Sequence, residues 1–451
     1  MNKLTNILFK PLSIAPLVTF RILFGAATFI STLRFLLLGW VDLHFVNTQV
    51  QFKYFGFYWV DVLPANAMYF IHGLMLLASL GIMLGAYYRL ATIIFFVCFT
   101  YCELVDITYY LNHYYFVSLV SFLLIWVPAH SWFSVDAKRK SSVKHNLVPA
   151  WCIYVFKAQL LLVYFFAGIA KINSDWLIDA MPLRLWLPAN NNLPIVGWLF
   201  NYPATAYVFS WAGMLFDVFV GLFLLIPKTR LWAWLIVVFF HAITGVLFQI
   251  GVFPLVMILS TLIFFGESFH VKIQQVLGKV LGLNKYIHVI ETNVLKSSLS
   301  VFKQNVVTVL LIIWFSFHVL FPLRFVLYPG KLFWTEEGYR FGWRVMLMEK
   351  AGTATFYLTD AGNGKEGVVD NTQFLNPHQE KQMAMQPDLI LQYAQFLKNH
   401  YENQGVKINK VRAEVYVTLN AKPSKLLFSD TLNLLQLSDS WTPKTWILPY
   451  E

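Results

Sequence analysis

The sequence predicts a polytopic α-helical membrane protein with about nine transmembrane helices, followed by a small C-terminal extracytoplasmic α+β domain. Of its 451 residues, 58% are hydrophobic and 18% are aromatic, whereas only 13% are charged. A soluble domain usually carries about 25% charged residues. Apolar runs long enough to cross a bilayer recur up to residue 323 and then stop. We therefore expect a transmembrane domain at 1–323 and an extracytoplasmic domain at 324–451.

Nine apolar segments are the predicted transmembrane helices, and most basic residues lie in the loops between them. After the eighth segment, residues 269–303 carry five lysines with apolar residues at helical spacing, which favours a helix along the membrane surface. The nine segments lie near 15–38, 67–87, 90–105, 111–127, 150–172, 204–226, 231–250, 252–265 and 305–323.

The basic loops predict the orientation in the membrane. With nine spans, Arg89, Lys138–Lys144 and Lys228–Arg230 all fall on one side. Because cytoplasmic loops are enriched in lysine and arginine, we expect that side and the N-terminus to be cytoplasmic, and the C-terminal domain to be extracytoplasmic. Basic residues scattered between apolar spans also argue against nucleic-acid binding, despite the net charge of +11.

The C-terminal part is mixed and polar. Residues 413–419 alternate apolar and polar side chains, which predicts a strand, and the turn at 360–364 predicts a hairpin. An amphipathic helix is predicted at 387–403. The cysteines of the chain fall elsewhere, in the apolar spans, which predicts core residues rather than a disulfide or a metal site. They are Cys98, Cys102 and Cys152.

The strongest indication of function is a lysine at the end of the fifth apolar segment. Lys171 and Asp175 are four residues apart, so they share one face if the helix continues past the lysine. Gly168 leaves this face bare enough for a neighbouring helix or a flat ligand to come close. A lysine in this position is commonly a snorkelling anchor. The functional alternative is an amine in a poorly hydrated site, where desolvation favours the neutral base.

Three further ionisable residues lie in apolar segments or at their ends. His113 follows Asn112 at the start of the fourth segment, among tyrosines typical of a membrane interface. His241 falls near the middle of the seventh segment, where an ionisable residue indicates a functional site, although a histidine bonded to a backbone carbonyl is the simpler explanation. Asp217 lies inside the sixth segment and could equally be a structural partner for an arginine.

A second unusual stretch follows the ninth segment. Residues 334–344 contain four aromatic side chains and two arginines. The aromatic residues could simply pack the C-terminal domain onto the membrane surface. Arg340 and Arg344 could instead pair with a carboxylate. The residues themselves leave both interpretations open.

The residues around Lys171 resemble the active-site helix of the vitamin K-dependent gamma-glutamyl carboxylases. The family pattern Tyr-Phe-x-Ala-Gly-x-x-Lys, followed by Asp-Trp, is matched from Tyr164 to Trp176. The resemblance covers nearly the whole chain, which looks like a bacterial homologue in the group called horizontally transferred transmembrane domain (HTTM) proteins. The chain is shorter than the animal enzymes, and it departs from the family pattern at Ala170, Asn173 and Gly342.

The resemblance implies an integral membrane enzyme of the carbon–carbon lyase class in a bacterial inner membrane. Such enzymes couple the oxidation of reduced vitamin K, a naphthohydroquinone, to its epoxide with the carboxylation of peptide glutamate to gamma-carboxyglutamate. The implied co-substrates are O2 and CO2, and the implied partner is a glutamate-containing peptide or protein. Two alternatives stay open: a quinone epoxidase without carboxylation, and a non-catalytic protein that binds or transports an isoprenoid lipid.

The resemblance also assigns roles to the candidate residues. Lys171 and His113 are the implied catalytic residues, with Lys171 as a neutral base. We expect both at the floor of a pocket, with Tyr339 and Trp343 over its outer mouth. The implied binding residues are His241, Asn112 and Asp175 for reduced vitamin K, and Trp334, Tyr339 and Trp343 for the substrate glutamate.

Overall fold

The computed structural model describes residues 2–248, 250–280 and 300–450. Within these ranges, an apolar helix occupies each of the nine positions predicted for a transmembrane span. The nine helices are α2 (Ala15–Leu37), α3 (Ala65–Leu84), α4 (Tyr88–Val105), α5 (Asn112–Trp126), α7 (Trp151–Ala170), α10 (Pro203–Leu225), α11 (Arg230–Phe248), α12 (Phe253–Thr261) and α14 (Val301–Leu320).

Further helices and two small strands lie between and around these nine. β1 (Pro11–Ser13) and β2 (Leu147–Pro149) form a two-stranded antiparallel ribbon. The remaining α-helices of the described ranges are α1 (Asn2–Phe9), α6 (Val135–Arg139), α8 (Ser174–Leu177), α9 (Leu183–Trp186), α13 (Glu267–Val280), α15 (Leu332–Thr335), α16 (Pro377–Met383) and α17 (Pro387–Asn403). α13 lies in the predicted surface segment 269–303, whose residues 281–299 lie outside the described residues.

Seven of the nine apolar helices of the described ranges are long and apolar enough to cross a membrane by themselves. The other two are α5, with 15 residues, and α12, with 9 residues followed by a 3-10 turn at Leu262–Phe264. At 1.5 Å per residue, α5 is about 22 Å long, which is shorter than a hydrocarbon core of about 30 Å. The predicted count of about nine transmembrane helices therefore includes two, α5 and α12, that are too short to cross the membrane by their own length.

The short helix α5 nevertheless joins the two ends of the helical bundle. At its start, the Asn112 side chain donates to the carbonyl oxygen of Arg344, next to the C-terminal domain. Just beyond its end, the His130 ring stacks on Tyr88, which begins α4 at the opposite end of the bundle. The chain thus changes ends along α5, as the predicted alternation requires.

The same holds for α12 and the helix that follows it. Phe253, at the start of α12, contacts the ring of His113 near the C-terminal domain, with 5.2 Å between ring centres. In α13, the Gln274 side chain donates to the carbonyl oxygen of Ala15 at the far end of the bundle. All nine apolar helices of the described ranges therefore connect the two ends.

The C-terminal part forms the predicted α+β domain. Its four antiparallel strands have the order β4-β3-β5-β6, with β3 (Lys350–Asp360) paired along β5 (Ile408–Leu419). The short edge strands are β4 (Glu366–Val368) and β6 (Lys425–Leu426). Alternate residues of β5 are buried, and α17 packs against this strand, so one face of the sheet builds the core of the domain. The predicted hairpin at 360–364 and the predicted helix at 387–403 are confirmed.

The domain is docked on the loops at one end of the bundle. The Gln379 side chain donates to Asp106 at the end of α4, and His378 contacts the carbonyl oxygen of Thr108. On another loop, the Gln49 side chain donates to the carbonyl oxygen of Gln373. These contacts fix the end of α4 and the loop before α3 to the domain. A hydrogen bond from the Asn420 side chain to Asp175 brings the chain just after α7, and with it Lys171, beside the same domain.

Candidate active site

Lys171 lies at the end of α7 rather than inside a continuing helix. The helix ends at Ala170, and the next helix, α8, starts after a break that the Asn173 side chain caps by accepting from the backbone of Trp176. Because of this break, Asp175 does not share a face with Lys171. The condition for a shared face, a helix that continues past Lys171, is not met.

Asp175 instead ties α8 to the C-terminal domain. Its carboxylate lies 2.9 Å from the ammonium group of Lys331 and accepts a hydrogen bond from the Asn420 side chain, also at 2.9 Å. Asp175 is buried, and these two partners offset the free-energy cost of burying its charge. Its predicted role in binding reduced vitamin K stays a prediction, and its contacts are those of a docking residue.

The partner of Lys171 is Asp217 on α10. The Lys171 Nζ atom lies 2.7 Å from Asp217 Oδ2 and also donates to the carbonyl oxygen of Ala167 at 3.2 Å. Each side chain of the pair is only 7% exposed. Lys171 is thus turned into the protein and is not a snorkelling anchor. Asp217 is paired with this lysine rather than with an arginine.

A glycine makes this pairing possible. A Cβ atom at Gly168 would lie 2.7 Å from the backbone nitrogen of Val218, which is closer than real side chains come. The missing side chain therefore lets the backbone of α10 approach α7 beside Asp217. Gly168 admits a neighbouring helix, which is one of the two roles that its position suggested.

An apolar cavity of about 100 Å³ adjoins the ion pair. Its walls come from the six helices α7 to α12 and from the chain just after Trp343. Four ionisable residues, Tyr164, Lys171, Asp217 and His241, line it, and flat aromatic rings form much of the rest. The lining residues used below are Trp176, Phe253, Met257, Val345 and Met346.

His241 presents an unused ring nitrogen beside this cavity. Its Nε2 atom lies 3.1 Å from the hydroxyl oxygen of Tyr164, whereas its Nδ1 atom is buried without a hydrogen-bond partner among the described residues. If the Tyr164 hydroxyl donates to Nε2, a neutral imidazole carries its proton on Nδ1 and can donate it. A buried donor without a partner costs stability, so this atom suits a ligand oxygen.

His113 lies behind the cavity rather than in its lining. Its ring contacts Phe253, and Phe253 in turn contacts His241, with 5.7 Å between the last two ring centres. Asn112 uses its amide to hold the chain at Arg344 and accepts from the Tyr110 hydroxyl at 3.1 Å. His113 thus packs behind a wall residue of the cavity, and Asn112 fixes the chain next to Val345. The roles predicted for them stay predictions.

The three predicted glutamate-binding aromatics lie near the site without lining its cavity. Trp334 belongs to the core of the C-terminal domain, where its indole donates to the carbonyl oxygen of Leu448. Trp343 is buried against Tyr115, with 5.0 Å between ring centres. Tyr339 packs at the base of the domain. Tyr339 and Trp343 therefore do not lie over the cavity as expected. Val345 and Met346, which follow them directly in the chain, line it instead.

The backbone of this stretch is strained. Phe341, Trp343 and Met346 have φ angles of 59°, 57° and 54°, a region that side chains other than glycine rarely adopt. Such strain persists only where surrounding contacts enforce it, and it clusters at functional sites.

In this stretch the Arg340 guanidinium binds the Asp388 carboxylate at 2.6 Å. Burial raises the pKa of Asp388, but Arg340 outweighs burial and lowers it.

A second buried ion pair fixes the start of the same stretch. The Lys350 ammonium group lies 2.8 Å from Glu336 and donates to the carbonyl oxygen of Trp334. Burial lowers the pKa of Lys350, although Glu336 opposes this shift. Together the two ion pairs fix residues 336–340 to α17 and β3 of the C-terminal domain. No pattern in the sequence singled out Lys350 or Asp388.

The fold and the site define a class: a helical integral membrane protein with a buried lysine–aspartate pair at the end that carries its extramembrane domain. Residues 9–269 match the family described as HTTM domain. Residues 303–451 match the family described as vitamin K-dependent gamma-carboxylase, lumenal domain. The chain therefore belongs to the HTTM family and is a member of the gamma-glutamyl carboxylase family, as its sequence indicated. No solved structure matches it.

Proposed function

We propose that this protein is a membrane enzyme that oxidises reduced vitamin K to its epoxide and uses this reaction to carboxylate glutamate in a peptide. The observation that carries the proposal is the buried Lys171–Asp217 pair in the wall of an apolar cavity. The family match implies the use of reduced vitamin K. In addition, we place the protein in a bacterial inner membrane with residues 324–451 as its extracytoplasmic domain and 1–323 as its transmembrane domain.

The cavity residues fit a naphthohydroquinone. The walls are apolar and aromatic, which suits a flat bicyclic ring, and His241 Nδ1 is a buried donor without a partner among the described residues. Ligand cavities commonly measure about 300–1,000 Å³. The cavity of about 100 Å³ must therefore widen on binding, and the flexible side chains of Met257 and Met346 in its lining can allow this.

When bound, reduced vitamin K supplies the reducing equivalents that O2 consumes, and it yields the strong base that removes a glutamate γ-proton. The protein must start this chemistry by removing a proton from a ring hydroxyl. Lys171 can do so only as a neutral amine. Asp217 Oδ2, 2.7 Å away, can accept the extra proton of Lys171. Rotation about the Cε–Nζ bond can then turn the new lone pair of Nζ from Asp217 toward the ring hydroxyl.

The surroundings of the pair favour this proton transfer. A buried ion pair loses much of its hydration, and the neutral amine–acid form avoids that cost. After Lys171 takes a proton from the ring hydroxyl, Asp217 is still protonated, and its carbonyl oxygen can accept a hydrogen bond from the new ammonium group. The ring of Trp176, whose centre is 5.4 Å from Nζ, adds a weaker attraction for the same cation.

The remaining residues orient the reactants and exclude water. His241 Nδ1 donates to a ring oxygen, and Tyr164 fixes the tautomer through Nε2. His113 keeps Phe253 and His241 in place. Trp334, Tyr339 and Trp343 bind or position the glutamate side chain through the strained stretch that ends at Met346. Closure by the apolar walls protects the reactive species from water.

A single assay with two products tests the proposal. Purified protein in lipid nanodiscs is mixed with reduced vitamin K, O2, labelled CO2 and a glutamate-containing peptide, and both the epoxide and the labelled peptide are measured. We expect both products with wild-type protein. The matched control is Lys157→Ala, which removes another lysine from the same helix, outside the cavity lining. Absence of epoxide would contradict the proposal.

The second candidate function is epoxidation without carboxylation. It is favoured by the position of Trp334, Tyr339 and Trp343, which do not line the Lys171 cavity among the residues that the structure describes. In that case the same assay gives epoxide and no labelled peptide. A non-catalytic protein that binds or transports an isoprenoid lipid would give neither product while still binding the quinone.

A further inference from the structure

A second and larger cavity lies outside the Lys171 site. It measures about 700 Å³ and is walled by α4, α5 and α14. Phe341 and the tyrosines Tyr54 and Tyr110 line it too. On α14, the lining residues Ile313 and Phe317 are 59% and 50% exposed, so this wall borders the bilayer. An apolar molecule can therefore enter from the membrane.

One wall of this cavity carries a buried histidine with an unused acceptor. His318 Nδ1 lies 2.8 Å from the carbonyl oxygen of Trp314, so Nδ1 carries the proton and donates it. The Nε2 atom of the neutral ring is then a lone-pair acceptor. It is buried and has no hydrogen-bond partner among the described residues. His318 is only 4% exposed, so water does not readily satisfy this atom.

A second polar group lines the cavity from another helix. Glu103 on α4 is an ionisable residue inside an apolar span, and such residues usually mark a ligand or ion site. Aromatic rings lie around the two polar groups. Phe122 and Trp314 are stacked in parallel, with 5.3 Å between ring centres and 10° between ring planes. The cavity thus combines flat apolar surfaces with polar groups on two different helices.

We propose that this cavity is a second binding site for a lipid-soluble para-hydroquinone with an isoprenoid tail. One ring hydroxyl donates to His318 Nε2, the opposite hydroxyl contacts Glu103, and the tail passes α14 into the bilayer. A para-hydroquinone supplies two hydroxyl groups on opposite sides of a flat ring. An acyl chain of a phospholipid supplies neither and leaves His318 Nε2 without a partner. The inference extends the proposed function by a second site for the same ligand class.

The two cavities are separated by one short stretch of chain, residues 341–346. Phe341 lines the larger cavity, whereas Val345 and Met346 line the Lys171 cavity. Trp343, between them, stacks on Tyr115, which also lines the larger cavity. A hydroquinone in the second site therefore contacts the strained stretch that borders the first.

Photolabelling of the whole protein in phosphatidylcholine nanodiscs tests the proposal. The probe is a naphthohydroquinone with a diazirine on a short isoprenoid chain, kept reduced with dithiothreitol. Labelled peptides are identified by mass spectrometry over a range of probe concentrations. We expect saturable labelling of residues 313–318 as well as of peptides around Lys171. Unlabelled hydroquinone should compete, whereas its dimethyl ether, which lacks the hydroxyl donors and is not changed by dithiothreitol, should compete about tenfold less well.

Three variants separate a hydrogen bond from simple filling of the cavity. His318→Phe keeps a ring but removes the acceptor, so labelling of 313–318 should need about tenfold more probe. Leu119→Trp fills the cavity and should abolish that labelling. The control is Leu310→Phe, which changes an exposed residue of α14, the helix that carries His318, and should behave as wild type. Labelling around Lys171 should persist in all three.

Two results would overturn the proposal. One is the absence of saturable labelling at 313–318, which would leave bilayer acyl chains as the occupants. The other is an unchanged probe requirement in His318→Phe. Labelling at 313–318 without labelling near Lys171 would support the second site and contradict the proposed function. Labelling near Lys171 alone would do the reverse.

Discussion

Lys171 Nζ and Asp217 Oδ2 lie 2.7 Å apart in the interior of the bundle, joined across two helices that touch at Gly168. In this buried position, each residue depends on the other to stay charged. A buried lysine without a carboxylate would lose its proton, and a buried aspartate without a cation would keep one. Together they form a short path along which a single proton can move, next to an apolar cavity.

Gly168→Ala should disrupt this pairing. The new methyl group would overlap the backbone of Val218, so α10 must move away from α7. We expect a loss of about 1–3 kcal/mol in stability, typical of overpacking, together with reduced epoxide formation. Thermal unfolding in detergent and the epoxide assay measure the two effects. Gly73→Ala is the control, because no atom lies within 4 Å of its added Cβ. Equal behaviour of the two variants would contradict the close helix contact.

Tyr164→Phe should weaken the use of reduced vitamin K without unfolding the protein. The variant removes the hydroxyl that bonds His241 Nε2, so the tautomer with a proton on Nδ1 is no longer fixed. Loss of one buried hydrogen bond predicts a fall in kcat/KM of about tenfold. Steady-state kinetics measure it, with Tyr154→Phe on the same helix as the control. Wild-type kinetics in Tyr164→Phe would show that His241 does not depend on this contact.

The Arg340–Asp388 pair should make the C-terminal domain sensitive to acid. The pKa of Asp388 is lowered in the folded protein, so the pair contributes fully above the unfolded value of about 3.9 and is lost as the pH falls through the folded value. Asp388→Asn should therefore be less stable than wild type at pH 6, and the difference should shrink toward pH 3. Thermal midpoints measure this, with Asp430→Asn as the control. A difference independent of pH would contradict the assignment.

The topology can be tested without any assay of function. Lys140 lies in the loop between α5 and α7, at the end of the bundle opposite the C-terminal domain, and Asn363 lies in the exposed turn after β3. Single cysteines at these two positions should react with a membrane-impermeant maleimide from opposite sides, with Asn363→Cys on the extracytoplasmic side. Reaction of both from the same side would show that α12, the short helix between them, does not cross the membrane. Reaction from opposite sides but with the two sides exchanged would show the same for α5.

Much of the fold follows from local sequence signals. Apolar length located all nine helices, alternation located β5, and the amphipathic pattern located α17. The lengths of α5 and α12 were overestimated, because apolar residues beyond a helix end, such as Val252 and Phe265, extend an apolar run without being helical. Spacing also failed at Asp175, where the cap formed by Asn173 ends the helical register after Lys171.

The residues of the site could be predicted only where an ionisable side chain stands out in an apolar segment. Lys171 and His241 stand out as ionisable residues in apolar surroundings. Asp217 was visible as well, but its partner depends on how α7 and α10 pack, which no single segment encodes. Val345 and Met346 are ordinary apolar residues, and their place in the cavity follows from the positive φ angles around Trp343. Backbone strain of this kind has no reliable sequence signal.

The most direct test of the central claim is epoxide formation by Lys171→Ala, with small primary amines added to the assay. If Lys171 is the base, the variant should lose about 100-fold or more of its rate, while Lys157→Ala keeps the wild-type rate. Because the missing group is only a proton acceptor, an amine that fits the cavity should restore part of the activity, more so as the pH rises and more of the amine is neutral. Near-normal epoxide formation by Lys171→Ala without added amine would contradict the account.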